Sequence, residues 1–310
     1  MNNQTIFELL EHEEARKVIE DCCGKTVLLS FLSNVKKNET QEINIVNTGL
    51  VSSGKSSLFN ALIDRLDDER FPTGAARTTL LDDRELFQEN VWLVDTPGID
   101  VKEADDKKAY ETLTEADVIL FVHNVNLGEL RREEVEWLKK IKNGMKKDSS
   151  NIIFVCSWVD ERDQTEDYSD AVEKIRSMIG EIFSKEVEVC CVSAKRYRNG
   201  MKKKADGEEK AGEVLISKSG MEEFRRELQN QIERYQNKKY REEALKKDIE
   251  EIEKGLEKRA KELQKNREKR EKMVREKYSS KKSAWKDVFD QFVIFRKDVK
   301  RIEKELEELG

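Results

Sequence analysis

Six short apolar runs, each bounded by polar residues, follow one another between residue 43 and about residue 195. Charged stretches with apolar residues at helical spacing lie between them, near 55–65, 104–114, 130–146 and 168–184. Buried strands that alternate with helices are typical of a mainly parallel sheet covered on both faces. The pattern therefore predicts an α/β fold with a six-stranded sheet, whose strands are 43–46, 80–87, 91–94, 118–122, 152–156 and 187–192.

The regions on either side of this alternating segment have a different texture. Residues 1–40 read as two helices, and residues 198–219, rich in Lys, Gly and Glu, read as an exposed loop. The apolar spacing after residue 220 predicts a further helix. We therefore expect three parts, with N-terminal helices over 1–40, a nucleotide-binding domain over 41–219 and C-terminal helices over 220–310 that join the first part in a helical bundle.

The last part of the chain carries a heptad pattern. Its apolar residues alternate steps of three and four, which predicts a coiled-coil seam. Ser279-Ser280 is the only turn candidate within 238–310, so we favour a helical hairpin. One continuous helix is the alternative, because neither Gly nor Pro stands at the turn. The seam comprises Trp285, Val288, Phe292, Phe295, Val299, Ile302, Leu306 and Leu309.

Charge and apolar run length exclude several classes of protein. Of 310 residues, 40% are charged, and the net charge of -6 excludes a uniformly basic nucleic-acid binder. The segment 238–282 nevertheless has 18 Lys+Arg against 11 Asp+Glu, a net of +7, which suits anionic lipid, RNA or a plain solvated face. No apolar run approaches the roughly 18 residues of a membrane span, and Met1–Glu20 has no apolar core of a signal peptide. We expect a cytoplasmic chain with reduced thiols, and peripheral membrane attachment remains an open alternative.

A phosphate-binding signature follows the first apolar run. Residues 49–56 read G-L-V-S-S-G-K-S and match G-x-x-x-x-G-K-[ST] between a strand and a helix, the context that this motif requires. Backbone N–H groups of such a loop surround phosphates, Lys55 neutralises their oxygens and Ser56 ligates Mg²⁺. The predicted nucleotide contacts are Gly49, Ser52, Ser53, Gly54, Lys55, Ser56 and Ser57.

Two further segments supply residues that would respond to a γ-phosphate. Asp95-Thr96-Pro97-Gly98 follows the run 91–94, where Asp95 can hold Mg²⁺ through water and Gly98 can offer its N–H to the phosphate. In Phe71–Thr79, a Thr can ligate Mg²⁺ when the γ-phosphate is present; we assign Thr79, with Thr78 as the second choice. Lys55, Thr79 and Gly98 are the predicted catalytic residues.

Two loops are candidates for reading the base. Ser193-Ala194-Lys195 follows the last run, and its backbone N–H groups could contact a purine O6. After the fifth run, Asp160 can accept hydrogen bonds from the N1 and N2 donors of guanine. A guanine reader usually has Asn/Thr-Lys-x-Asp here, whereas this chain has Ser157 and Trp158; Ser157 lacks the bracing amide, and Trp158 could cover the base by stacking.

Taken in this order, the five elements resemble the translation-factor-related branch of the P-loop GTPases. The stretches GLVSSGKSSLFNAL at 49–62 and FPTGAARTT at 71–79 look most like bacterial dynamin-like GTPases and the Era-like group. The resemblance covers about 43–195 and extends loosely to the flanks, since dynamin-like proteins place helices on both sides of the GTPase domain. It implies hydrolysis of GTP to GDP with Mg²⁺, and a helical bundle that continues into a stalk.

The chain departs from the small GTPases at the residue after Gly98. Ile99 stands where Ras-type proteins have a catalytic Gln, so no side chain there can orient the attacking water. Relatives with an apolar residue at this point often dimerise across the nucleotide, and the resemblance therefore implies slow hydrolysis that increases in a homodimer or oligomer. A coiled-coil assembly protein with a site that only binds nucleotide, and an Era-like GTPase that binds RNA, are the alternatives. A membrane surface is a further candidate partner, and RNA is less favoured.

Overall fold

The computed structural model describes residues 12–65, 70–71, 83–99, 110, 112–144, 149–161 and 168–309. The strands are β1 (Ile43–Thr48), β2 (Asp83–Gln88), β3 (Val91–Asp95), β4 (Val118–Asn124), β5 (Ile152–Ser157) and β6 (Val189–Cys191). The helices are α1 (Glu13–Cys23), α2 (Lys25–Thr40), α3 (Lys55–Leu62), α4 (Arg132–Gly144), α5 (Ser169–Phe183), α6 (Ala194–Ala205), α7 (Glu209–Ser217), α8 (Met221–Gln236) and α9 (Lys238–Leu309).

The strands form one six-stranded sheet in the order β2-β3-β1-β4-β5-β6. β1 pairs in parallel with β3 and β4, and β5 pairs in parallel with β4 and β6. Of the strands that the structure describes, only β2 is antiparallel, through its pairing with β3. The predicted six-stranded, mainly parallel sheet is confirmed, and its parallel strands bring the loops at their carboxyl ends to one edge.

Hydrophobic layers cover both faces of the sheet. Residues of α4 and α5 pack on one face, and residues of α3 and α8 pack on the other. This arrangement explains why the central strands are apolar throughout: β4 is buried along all but its last residue. The predicted apolar face of α8 is buried in the second layer, through Met221, Phe224, Leu228, Ile232 and Tyr235.

The exposed loop expected over 198–219 is wrong, because α6 and α7 occupy this region. Its glycines allow close helix packing. A Cβ on Gly200 would stand 2.9 Å from the carbonyl oxygen of Gly212, and a Cβ on Gly212 would stand 2.7 Å from that of Gly200. The Lys and Glu side chains that suggested a loop form ion pairs across the connection, such as Lys204–Glu209 at 2.9 Å. These two glycines permit close contact between the helices, whereas their presence in the sequence suggested a flexible loop.

The helical hairpin is also wrong, since α9 runs without a break from Lys238 to Leu309. The hydroxyls of Ser279 and Ser280 donate to the carbonyl oxygens of Glu276 and Lys277, both at 3.0 Å. Serine can bond back to its own helix in this way, so two serines without Gly or Pro do not end it. The alternative of one continuous helix is what the structure has.

By compactness, the chain divides into residues 1–252 and residues 253–310. In the first unit, the amide of Asn34 on α2 donates to Asp248 near the start of α9 at 2.6 Å. Lys37 of α2 also forms a buried ion pair with Asp117, which precedes β4, at 2.9 Å. The division into 1–40, 41–219 and 220–310 stays a prediction, although α8 lies on the sheet. None of the described helices is both long and apolar enough to cross a membrane.

Candidate functional site

The loop between β1 and α3 forms a phosphate cradle. Gly49 has φ 145° and Gly54 has φ 96°, conformations that L side chains rarely adopt. A Cβ on Gly49 would stand 2.2 Å from the carbonyl oxygen of Val122 on β4, so only glycine fits there. The backbone therefore turns tightly over the end of β4 before α3 begins, and the N–H groups at the start of α3 make an anion site.

Lys55 lies inside this loop rather than in solvent. Its side chain is 7% exposed, and Nζ donates to the carbonyl oxygens of Gly49 at 3.0 Å and Leu50 at 2.8 Å. These two hydrogen bonds hold the ammonium group at the centre of the cradle. A preorganised charge of this kind costs little reorganisation when phosphate binds.

The fold brings Ser56 and Asp95 together across 39 positions of the chain. The hydroxyl of Ser56 donates to Oδ2 of Asp95 at 2.7 Å, and Asp95 is 4% exposed. A hydroxyl beside a carboxylate at the edge of a phosphate cradle is an oxygen donor set, which suits the hard cation Mg²⁺. The first two predicted motifs thus form one site.

Gly98 lies against the phosphate loop. A Cβ on it would stand 2.8 Å from the backbone nitrogen of Val51 and 2.9 Å from its Cα. Ile99 donates its N–H to the carbonyl oxygen of Gly49 at 3.3 Å, and its side chain joins the core, 9% exposed. The side chain that replaces a catalytic Gln is therefore a packing residue.

A cavity of about 130 Å³ opens beside the cradle. Trp158 forms part of its wall and has φ 63°, a strained conformation for a bulky residue and one of the kind that clusters at functional sites. Its Nε1 lies 3.2 Å from the point where a Cβ on Gly54 would stand. The predicted residues that line the cavity are Gly54, Ser57, Asp160, Ala194 and Lys195.

Asp160, in the loop after β5, is held by two residues of the segment 193–195 that follows β6. Oδ1 accepts a hydrogen bond from Ser193 Oγ at 2.5 Å, and Oδ2 lies 3.8 Å from Lys195 Nζ. Ser193 Oγ also accepts the N–H of Arg196 at 2.9 Å and so caps α6. The predicted pair of loops therefore meets at one carboxylate on the cavity wall.

Ser157 retains part of the bracing function that we expected to be lost. Its Oγ lies 3.0 Å from the carbonyl oxygen of His123 and also contacts the carbonyl oxygen of Ser53 in the phosphate loop. The hydroxyl carries one hydrogen and can donate to one of them at a time. A serine at this position thus still connects β5 to the cradle.

Two asparagines belong to the site and were missed from the sequence. Asn60 of α3 donates to the carbonyl oxygen of Phe71 at 2.6 Å and accepts its N–H at 2.9 Å, which fixes the start of the 71–79 segment. Asn47 of β1 contacts Asp95. Both asparagines are buried, and both stand among apolar residues in the sequence. A polar residue within an apolar stretch was the sequence signal that could have identified them. Thr79 and Thr78 lie outside the described residues.

His123, at the end of β4, takes no part in the cradle. Its ring contacts the carboxylate of Glu134 through Nδ1 at 2.9 Å and the carbonyl oxygen of Gly128 through Nε2 at 3.0 Å. Both side chains are 1% exposed or less. This buried pair joins β4 to α4, so His123 has a structural role at the end of its strand.

Part of this site lies within a match to a known protein family. Residues 44–158 match the family described as 50S ribosome-binding GTPase. An uncharacterized protein of Acinetobacter baylyi is 30% identical over 236 residues, which are 75% of this chain and 51% of that protein. The chain thus spans about half the length of this relative.

Solved structures with a related arrangement include two bacterial dynamins. One is a member of an oligomerised bacterial dynamin pair described as sensing and tethering membranes, at 19% identity and TM-score 0.48, covering 99% of this chain and 62% of the other. The second is the LeoA bacterial dynamin GTPase from ETEC, at 18% identity and TM-score 0.49, covering 80% of this chain and 46% of the other.

Proposed function

Because residues 44–158 form a P-loop GTPase domain, we propose that this chain binds Mg²⁺ and GTP and hydrolyses GTP to GDP and phosphate. The observation that carries the proposal is the hydrogen bond from Ser56 to Asp95, 2.7 Å long, between the phosphate loop and the end of β3. It unites the residue that would ligate the metal with the residue that would hold its water.

The reaction is attack of water on the γ-phosphorus, with cleavage of the bond to the bridging oxygen and release of GDP and phosphate. Mg²⁺ would supply charge neutralisation at the β- and γ-oxygens. Lys55 presents its ammonium to the same oxygens from its fixed position, and the N–H of Gly98 is the donor that would sense the γ-phosphate. Thr79 would complete the metal site, and Ser193, Ala194, Lys195 and Asp160 would bind the base.

Substitution of the buried lysine tests this function. In Lys55→Ala we expect GTP affinity, measured by titration with a fluorescent guanine nucleotide, to fall at least about tenfold, because hydrogen bonds to charged groups contribute about 1.5–3 kcal/mol each. Lys174→Ala is the control, since Lys174 pairs with Glu129 on the exposed surface. A Lys55→Ala protein that binds and hydrolyses GTP normally would overturn the proposal.

We further propose that hydrolysis is slow in the isolated chain and increases on self-association. Ile99 is packed in the core, so the group that orients water has to come from elsewhere. The distal part of α9 carries apolar side chains that suit a second copy of the chain: Trp285, Val288, Phe292 and Phe295 are 58–74% exposed. This pattern supports a coiled coil between copies.

Turnover at different protein concentrations tests the self-association. We expect phosphate release per molecule to increase over a hundredfold range of concentration, and Phe292→Glu to reduce the increase, since a charge at the seam opposes pairing. Leu86→Glu is the control, because Leu86 is also exposed but lies on β2. Flat turnover in the native protein would contradict self-activation, and binding without turnover at any concentration would favour an assembly protein with a site that only binds.

A further inference from the structure

Asn47 is a polar residue near the carboxyl end of β1, directly after the apolar pair Ile45-Val46, and its side chain is completely buried. The backbone register between β1 and β3 ends at Val46 and Val94. One position later, the side chain of Asn47 forms hydrogen bonds to the residues that follow Val94 and so also joins β1 to the end of β3. Buried polar side chains are nearly always hydrogen-bonded, so the partners of this amide indicate what it does.

The amide group of Asn47 donates a hydrogen bond to one partner and accepts one from another. Its Nδ2 donates to Oδ1 of Asp95 at 2.6 Å, and its Oδ1 accepts the N–H of Thr96 at 3.0 Å. The hydroxyl of Thr96 in turn donates to the backbone carbonyl oxygen of Asn47 at 2.7 Å. Thr96 therefore fixes the orientation of the amide, and the amide presents a donor to Asp95.

Asp95 then has a different donor at each carboxylate oxygen. Asn47 contacts Oδ1, while Ser56 contacts Oδ2 at 2.7 Å. Two donors on opposite sides define the plane of a carboxylate, which could otherwise rotate about the bond to Cβ. The plane set in this way directs Oδ2 toward the hydroxyl that would ligate the metal.

We propose that Asn47 is a positioning residue for Mg²⁺ at the nucleotide site and acts by orienting the carboxylate of Asp95. The proposal rests on the proposed function, because it needs a metal at Ser56. Outer-shell groups that orient the ligands of a metal typically change metal affinity 10–100-fold when they are removed. No other side-chain type of this length both donates to Asp95 and accepts from Thr96: Leu does neither, and ionised Asp only accepts.

The test measures metal binding rather than turnover alone. Affinity of the full chain for a fluorescent GDP analogue is titrated against free Mg²⁺, buffered with EDTA, for native protein and for Asn47→Leu and Asn47→Ser. Thr48→Val is the matched control, since Thr48 is the next residue of β1, equally buried, and its hydroxyl accepts from Trp137 Nε1 at 2.9 Å. Thermal unfolding without nucleotide or metal reports the stability of each variant.

We expect the Mg²⁺ concentration that gives half of the full change in affinity for the GDP analogue to rise about tenfold or more in both Asn47 variants. Their affinity for the analogue in EDTA should be unchanged. Thr48→Val should lose thermal stability without a change in this concentration. An unchanged Mg²⁺ dependence in folded Asn47 variants overturns the inference, and so does a failure of both variants to fold, which would make Asn47 a residue of the fold. If native protein itself shows no Mg²⁺-dependent binding of guanine nucleotide, the proposed function fails instead.

Discussion

The hydroxyl of Ser193 donates a hydrogen bond to the carboxylate of Asp160, with 2.5 Å between Oγ and Oδ1. The two residues follow β6 and β5, which are neighbours in the sheet. Because Ser193 also caps α6, the orientation of Asp160 is set by the start of a helix. The unusual tryptophan at position 158 therefore stands beside an acceptor whose direction is fixed.

Asp160→Asn should change which base the site accepts. The carboxylate can receive both the N1 and N2 donors of guanine, whereas an amide offers one acceptor and one donor. We expect GTP affinity to fall about 10–100-fold, consistent with the loss of hydrogen bonds to a charged group, and affinity for xanthosine triphosphate, which carries an oxygen at C2, to rise.

Competition against a fluorescent GDP analogue measures this change in base preference. Adenosine triphosphate is the control nucleotide, because adenine lacks the N1 and N2 donor pair in either protein. Equal affinities of native and Asp160→Asn protein for GTP would remove Asp160 from the base site.

Gly98→Ala should uncouple nucleotide binding from hydrolysis. The added Cβ would meet the nitrogen and Cα of Val51, which are backbone atoms that cannot rotate away. We expect phosphate release under saturating GTP to fall about tenfold or more, as for the loss of one preorganised N–H donor. GDP affinity should fall less than the rate of phosphate release, because GDP has no γ-phosphate for this N–H to meet.

Gly207→Ala is the control for Gly98→Ala, since a Cβ at residue 207 would meet nothing within 4 Å. The idea would fail if Gly98→Ala hydrolysed GTP at the native rate.

Comparison of alanine substitutions at Gly220 and Gly207 should separate the cost of steric conflict from that of backbone strain. It has φ 71°, and a Cβ on it would stand 1.9 Å from the carbonyl oxygen of Cys191, whereas Gly207 has φ 87° and open space. We expect Gly207→Ala to lower the free energy of unfolding by about 1–2 kcal/mol through strain alone. Gly220→Ala should add about 1–3 kcal/mol from the conflict. Urea unfolding of both variants checks the difference, and equal losses would show that β6 yields without cost.

The stability of the protein should fall in alkaline solution. Burial raises the pKa of the Cys190 thiol to about 12 and that of Cys191 to about 11, from an ordinary value of 9.0. A thiol whose pKa is raised in the folded state keeps its proton there while the unfolded chain loses it. The stabilisation is therefore complete below pH 9 and is lost as the pH rises from about 9 toward about 12.

Cys190→Ala removes one of these thiols and should flatten the pH dependence. We expect the decrease in the free energy of unfolding between pH 8 and pH 10.5 to be smaller in the variant, by on the order of 1 kcal/mol. Urea unfolding at the two pH values measures it. Parallel curves for native and variant protein would contradict the assignment to Cys190.

Local sequence determined much of this protein. Strand order along the chain, the phosphate loop at 49–56 and the acid at residue 95 follow from apolar runs and from motif spacing, because β-strands and tight glycine turns obey short-range rules. For the same reason the predicted face of α8 was correct. Glycine and serine gave no such guide at 198–219 and 279–280, since these small residues serve turns and close packing equally well.

Only the tertiary structure decided which polar atoms meet. Asn47 and Asp95 stand 48 positions apart, and so their hydrogen bond depends on β1 lying beside β3. Likewise, Ile99 packs into the core and Ser193 fixes Asp160 because neighbouring strands end at a common edge. Hydrophobic periodicity is a local property of the sequence and can be read from it. The direction of a buried carboxylate is set by donors that folding brings from distant segments.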